Sequence, residues 1–233
     1  MRALLTLLLC LGLVVPAAAA SYEEVFAKIS PSVGALYAQT STGSIEFLCT
    51  ITVIKKTATQ TELLTANHCS RKDVSYVVTF DGRRLYSARV AKVPGEDIDP
   101  QKYRRQYNQP QVDAAIFVID EALDIPAVAL GTDTGLAPGR GIVTVGYPLG
   151  VTKIRYVGII AGRFERPGAD IDGYLILQIF GSPGSSGSAV IDETTGTVVG
   201  ILVAGRQAFG TPVIFAVPVS YLQRLKPIPG KVE

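Results

Sequence analysis

From Val33 onward the chain is a succession of short runs rich in β-branched and aromatic residues, each bounded by Gly, Pro, Asp, Asn or Ser. The runs are Val33 to Thr40, Ser44 to Ile54, Glu62 to Thr65, Val74 to Phe80, Leu85 to Val93, Ala114 to Val118, Gly141 to Gly146, Lys153 to Ala161, Leu175 to Ile179, Ala189 to Ile191, Val198 to Ala204 and Val213 to Val217. Runs of that length and composition are strands, and Asp81-Gly82 carries a hairpin turn signal. Helix is expected only at the two ends. Ser21-Tyr22-Glu23-Glu24 is a capping box that opens a short helix ending before Ser30-Pro31, and Val219 to Leu225 is a candidate closing helix. Glu121 to Gly139, rich in turn residues, looks like the link between two halves. Residues 94 to 112 are polar and include Arg104-Arg105, the pattern of a long surface loop. Many short strands and few helices predict an all-β protein, built as barrels or as a sandwich. There is no internal repeat, and only a short tail follows the last strand, so no appended binding domain is expected.

The first twenty residues read differently. Arg2 precedes an apolar run from Leu4 to Val15, and Pro16 with Ala17 to Ala20 supplies the small residues of a cleavage site. This is the layout of a secretory signal peptide cleaved near Ala20, too short to span a bilayer. No later segment is apolar for long enough to cross a membrane. The remaining chain, residues 21–233, is long enough for one domain or two small packed halves. The whole chain holds 22 basic and 20 acidic residues, a balance that argues against a nucleic-acid binder.

Of the three cysteines, Cys10 lies in the signal and Cys49 and Cys69 remain, an even pair in an exported chain. Export favours a disulfide over two buried thiols. Two cysteines and one histidine make a poor zinc set without further carboxylates, so no metal and no cofactor are expected.

His68, in Leu63-Leu64-Thr65-Ala66-Asn67-His68-Cys69, is the single histidine. It is thus the one side chain whose ordinary pKa suits base chemistry near neutral pH. Far downstream, Pro183-Gly184-Ser185-Ser186-Gly187-Ser188 places Ser186 between glycines. Serine-based acyl transfer needs a hydroxyl within reach of a base, a carboxylate to orient that base, and backbone N–H groups aimed at the developing oxyanion. Ser186 is the candidate nucleophile, and the N–H groups of Gly184 and Ser186 are the candidate oxyanion hole. The motif is not Gly-x-Ser-x-Gly, and His68 precedes the serine, so an α/β-hydrolase is rejected.

Taken together, these segments resemble the trypsin-like serine proteases, nearest to the bacterial high-temperature-requirement (Deg-type) branch. The resemblance rests on Thr65-Ala66-Asn67-His68-Cys69, Ile29-Ser30-Pro31-Ser32-Val33, Gly146-Tyr147-Pro148-Leu149-Gly150, Pro183 to Ala189 and Phe215-Ala216-Val217-Pro218. It implies two packed six-stranded antiparallel β-barrels, about 33–120 and about 140–218, with the site in the cleft between them. It implies that Cys69 bonds back to Cys49. It also implies Asp113, at the start of an apolar strand, as the carboxylate, ahead of Asp97 and Asp99 in the polar loop. The resulting set is His68, Asp113 and Ser186. Ile179, Phe180, Val203 and Gly205 are the candidate lining of the primary pocket, and no acidic residue stands there to receive Lys or Arg.

Two positions depart from the resemblance. Ser185 stands where trypsin carries the Asp that receives a freed N-terminus on activation. Val203 replaces a serine whose hydroxyl supports the catalytic carboxylate. The expected function is an exported serine endopeptidase acting on polypeptides after apolar or small residues. The alternative is a protease fold kept as a binding or chaperone-like protein. The trimeric assembly common in the bacterial branch is not carried over.

Overall fold

A computed structural model describes residues 21–40, 43–71, 74–94, 112–165, 173–208 and 211–228. The expected signal segment, Asp97, Asp99 and nearly all of the polar loop at 94–112 lie outside the described residues.

Helix α1 spans Tyr22–Ile29. Its capping box is complete: Ser21 Oγ accepts the Glu24 N–H, and the Glu24 carboxylate accepts the Ser21 N–H. A cap of this kind contributes about 1 kcal/mol. Val25, Phe26 and Ile29 form its buried face.

The first barrel is built from β1 (Val33–Gln39), β2 (Ile45–Lys56), β3 (Thr61–Thr65), β4 (Ser75–Thr79), β5 (Tyr86–Pro94) and β6 (Ala115–Ile119). Neighbours run β5-β4-β1-β2-β3-β6, and a further β5–β6 pairing closes the ring. The second barrel comprises β7 (Gly141–Gly146), β8 (Ile154–Arg163), β9 (Leu175–Gln178), β10 (Ala189–Asp192), β11 (Val198–Ala208) and β12 (Thr211–Pro218), closed in the order β10-β11-β12-β9-β8-β7. Every strand pair is antiparallel, and the predicted pair of six-stranded barrels is what the chain forms.

Two apolar clusters hold the barrels. One fills the second barrel with Ile142, Ile160, Leu175, Leu177, Val190 and Leu202. The other contains Ile51, Leu64 and Phe117 of the first barrel together with Val145, Ile201 and Val217 of the second. That shared cluster packs the barrels on each other without a break. The link between them is also tied down. Val128 N–H donates to Val53 C=O, Val198 N–H donates to Ala129 C=O, and Asp133 accepts the Ser220 N–H.

The C-terminus differs from expectation. Val219–Arg224 is a 3-10 helix, and it feeds a short strand, β13 (Leu225–Pro227), that pairs with β5. Pro227 ends the run that a helix would need, and it restrains the residue before it to extended backbone. The strand carries only three residues, too few for a period-two signal.

Candidate active site

Antiparallel pairing of β3 with β6 sets Thr65 opposite Ala115. Two residues further on, this register brings the Asn67–Cys69 turn beside Asp113. The Asp113 carboxylate receives His68 twice: the backbone N–H donates to Oδ1 at 2.9 Å, and Nδ1 lies 2.7 Å from Oδ2. A carboxylate partner places the proton on Nδ1 and leaves Nε2 as the acceptor. Asp113 is 3% exposed. Burial pushes the imidazole pKa down, but the Asp113 charge and hydrogen bond outweigh it and hold His68 above its ordinary value.

The turn carrying His68 is pinned at both ends. Ser70 Oγ donates to the Asn67 carbonyl at 2.6 Å. Cys69 is disulfide-bonded to Cys49 on β2 across 20 residues, with Cα atoms 6.2 Å apart. The Cys49, His68 and Cys69 donor atoms lie within 4.8 Å of one another, but the two sulfurs are bonded together and present no thiolate.

Ser186 lies in the turn between β9 and β10, against the segment that leads to His68. Its carbonyl accepts the Thr50 N–H at 2.9 Å. At the next residue, Gly187, φ is +86° and a Cβ would fall 2.1 Å from the Thr50 carbonyl and 2.2 Å from Thr65 Oγ1. Only glycine permits that approach. The Ser186 hydroxyl donates to the Val203 carbonyl at 3.4 Å. Val203 is skipped by the β11–β12 register, so its carbonyl lies off that ladder. Among the described residues no hydrogen bond joins Ser186 to His68.

Both peptides of the candidate oxyanion hole have anchored carbonyls. Leu149 N–H donates to Pro183 C=O at 2.7 Å, and Ser188 N–H donates to Ser185 C=O at 3.1 Å. In a trans peptide the following N–H points the opposite way. The Gly184 and Ser186 N–H groups are therefore turned away from those anchors. Among the described residues neither has an acceptor.

The candidate pocket residues have different surroundings. Ile179 and Val203 are buried in the two cores, and Ile179 packs against Gly158. Phe180 is 57% exposed and stacks on Tyr156 with ring centres 5.2 Å apart. Gly205 and Gly181 face a common neighbour: Cδ1 of Ile214 lies 3.0 Å from the Cβ position of each. Ile214, on β12, was missed because nothing local distinguishes it from any strand isoleucine. Tyr174, whose hydroxyl accepts the Asp113 N–H at 3.3 Å, was missed for the same reason.

A family model described as a trypsin-like peptidase domain matches residues 49–201, the greater part of the chain. The chain belongs to the trypsin-like peptidase family. Among curated proteins it is 27% identical over 162 residues to a probable periplasmic serine endoprotease, DegP-like, of Bartonella henselae, covering 68% of this chain and 29% of that protein. Among solved structures, the HtrA-type protease AlgW with a decapeptide matches at TM-score 0.68 and 22% identity, covering 88% of this chain and 66% of that one. Its AlgWS227A form with a tripeptide matches at TM-score 0.67 and 22% identity, covering 88% of this chain and 62% of that one. The chain thus spans under a third of the curated relative and under two thirds of the first matched structure. The structural likeness establishes the shared fold.

Proposed function

We propose that this chain is an exported serine endopeptidase that cleaves polypeptides through an acyl-enzyme. The observation that carries the reading is the two-point hold of Asp113 on His68, beside a serine turn whose two N–H groups have no acceptor among the described residues. Ser186 Oγ attacks the scissile carbonyl as His68 Nε2 takes its proton. Reaching the imidazole requires Ser186 to leave the Val203 carbonyl, a rotation about one bond. The Gly184 and Ser186 N–H groups donate to the oxyanion, and Asp113 stabilises the imidazolium. His68 then returns the proton to the leaving amine, and water reverses the sequence to free the acid.

Residues 1–20 act as the signal, and residues 21–233 form the peptidase unit, with barrels of about 33–120 and about 140–218. The curated relative described as periplasmic supports the same compartment here. Among the described residues no helix is long and apolar enough to cross a membrane. The primary pocket takes a small or apolar side chain, because Ile214 occupies the space between Gly181 and Gly205.

A fluorophosphonate probe should label Ser186 in the wild type and fail to label His68→Ala. No labelling of a folded wild-type chain overturns the hydrolase reading. A peptide-library profile should centre on Ala, Val or similar residues before the scissile bond, and strict cleavage after Lys or Arg removes the pocket assignment.

A further inference from the structure

We infer that the Thr50 hydroxyl is a positioning residue that holds the nucleophile turn in its anion-accepting shape. The inference rests on the hydrolase reading above and goes beyond it, since Thr50 touches no reacting atom.

Thr50 follows Cys49 on β2 and is fully buried. All three of its polar atoms are engaged with the site. Its N–H donates to the Ser186 carbonyl at 2.9 Å. Its carbonyl accepts Thr65 Oγ1 at 2.7 Å, three residues ahead of His68. Its Oγ1 accepts the Tyr147 N–H at 2.9 Å and donates to the Gly184 carbonyl at 3.0 Å. A hydroxyl has one proton, and an N–H can only donate, so the polarity of that bridge is fixed. One side chain of the first barrel thereby joins two loops of the second.

The bridge acts on the oxyanion peptide from both sides. Gly184, at φ +92°, is held at its carbonyl by Thr50, and the Pro183 carbonyl before it is held by Leu149. Leu149 itself sits at φ +56°, a left-handed position that a non-glycine residue keeps only when its surroundings enforce it. Thr50 fixes the same loop two residues earlier, at Tyr147. Rotation of the Pro183–Gly184 peptide would break the Leu149 bond and pull the Gly184 carbonyl from the hydroxyl.

This arrangement addresses the serine at position 185. Ser185 is buried, and its hydroxyl accepts the Ser182 N–H at 3.4 Å, inside its own turn. It has no charge with which to anchor the turn to a new N-terminus. The hold comes from β2 instead, and it is complete without cleavage of the chain.

The test compares wild type with Thr50→Val, Thr50→Ala and Thr50→Ser, each shown to unfold cooperatively. Removing the hydroxyl should lower kcat about tenfold to a hundredfold with KM changed less than about threefold, the pattern of a misplaced oxyanion donor. A peptide boronate, which mimics the tetrahedral adduct, should lose affinity in step with kcat/KM. Thr50→Ser should stay within about threefold of wild type on both measures. Should Val not fold, Ala and Ser carry the comparison. The positioning role is overturned if the folded Val or Ala variant matches wild type, or if Ser falls as far as Ala. A wild type that neither hydrolyses peptides nor takes up the fluorophosphonate overturns the underlying hydrolase reading and this inference with it.

Discussion

His68 is balanced between two opposed effects, and the balance has a measurable sign. Burial disfavours the imidazolium, while the buried Asp113 charge and its hydrogen bond favour it, and the net shift is upward. The unfolded reference is about 6.5. A raised folded pKa means that His68 keeps its proton above that value, so the base form appears only at higher pH. The kcat/KM profile should therefore rise along a single limb lying above pH ~6.5. Stability moves the other way. The folded state binds the proton more tightly, so this contribution is fully present below about 6.5 and is lost as pH climbs through the folded value. Paired kinetic and thermal-unfolding profiles check both slopes, and Asp113→Asn should shift the limb downward while reducing kcat roughly 10⁴-fold. A limb at or below 6.5 in the wild type contradicts the account. The three candidate side chains of the proposed site stood out because each lies in a marked local segment: His68 before a cysteine, Ser186 between glycines, Asp113 at the head of an apolar run. Thr50 and Ile214 were not. Their meaning comes from partners more than 130 and about thirty residues away, Gly184 for the one and Gly181 for the other, and no local pattern encodes such a contact.

Elements were legible where their physics is local. The capping box located α1, and Val33, Gly141, Gly146, Leu175, Ala189 and Val198 are strand ends in both the sequence reading and the fold. Strand ends slipped where pairing overrides propensity: β11 and β12 continue to Ala208↔Thr211 through Gly205, Arg206 and Gln207, which the partner strand holds in place. The same dependence on partners governs the turn at Asn67–Cys69. It has a single turn of 3-10 structure, and the disulfide from Cys69 to β2 is its covalent tie to the sheet. Replacing both Cys49 and Cys69 with serine should lower the unfolding free energy by about 2–4 kcal/mol in denaturant titration. It should also lower kcat, because the turn carries His68 and β2 carries Thr50. Unchanged stability, or lost stability with full activity in the folded protein, contradicts this coupling.

At the scale of the whole molecule the two barrels supply different halves of the site. His68 and Asp113 come from the first, and Ser186 and Gly184 from the second, so the proposed chemistry depends on how the barrels are registered. The shared core sets the coarse registration, since Leu64 and Phe117 pack in one cluster with Val145 and Ile201. The segment between β7 and β8 refines it. Lys153 Nζ donates to the Ser30 carbonyl at the end of α1 at 2.7 Å and to the Phe80 carbonyl beyond β4 at 3.3 Å. It also lies 5.7 Å from the Tyr147 ring centre. Burial, with the nearby Arg155 charge, pushes the Lys153 pKa down against the opposing pull of Asp81. The helix, the first barrel and the loop that supports the Pro183–Gly184 peptide thus meet at one side chain. Lys153→Met keeps most of the stem and leaves two carbonyls without this donor. The expected loss is about 1–3 kcal/mol in urea unfolding. Hydrogen exchange should quicken in α1 and in the Tyr147–Gly150 loop, while the amides of β3 and β6 lose no more than the global change. A lower kcat should accompany the faster loop exchange, because Leu149 donates to the Pro183 carbonyl of the nucleophile turn and Tyr147 donates to the Thr50 hydroxyl that bridges to it. Faster exchange in α1 alone, with kcat intact, would show that Lys153 fastens the helix without steadying the site.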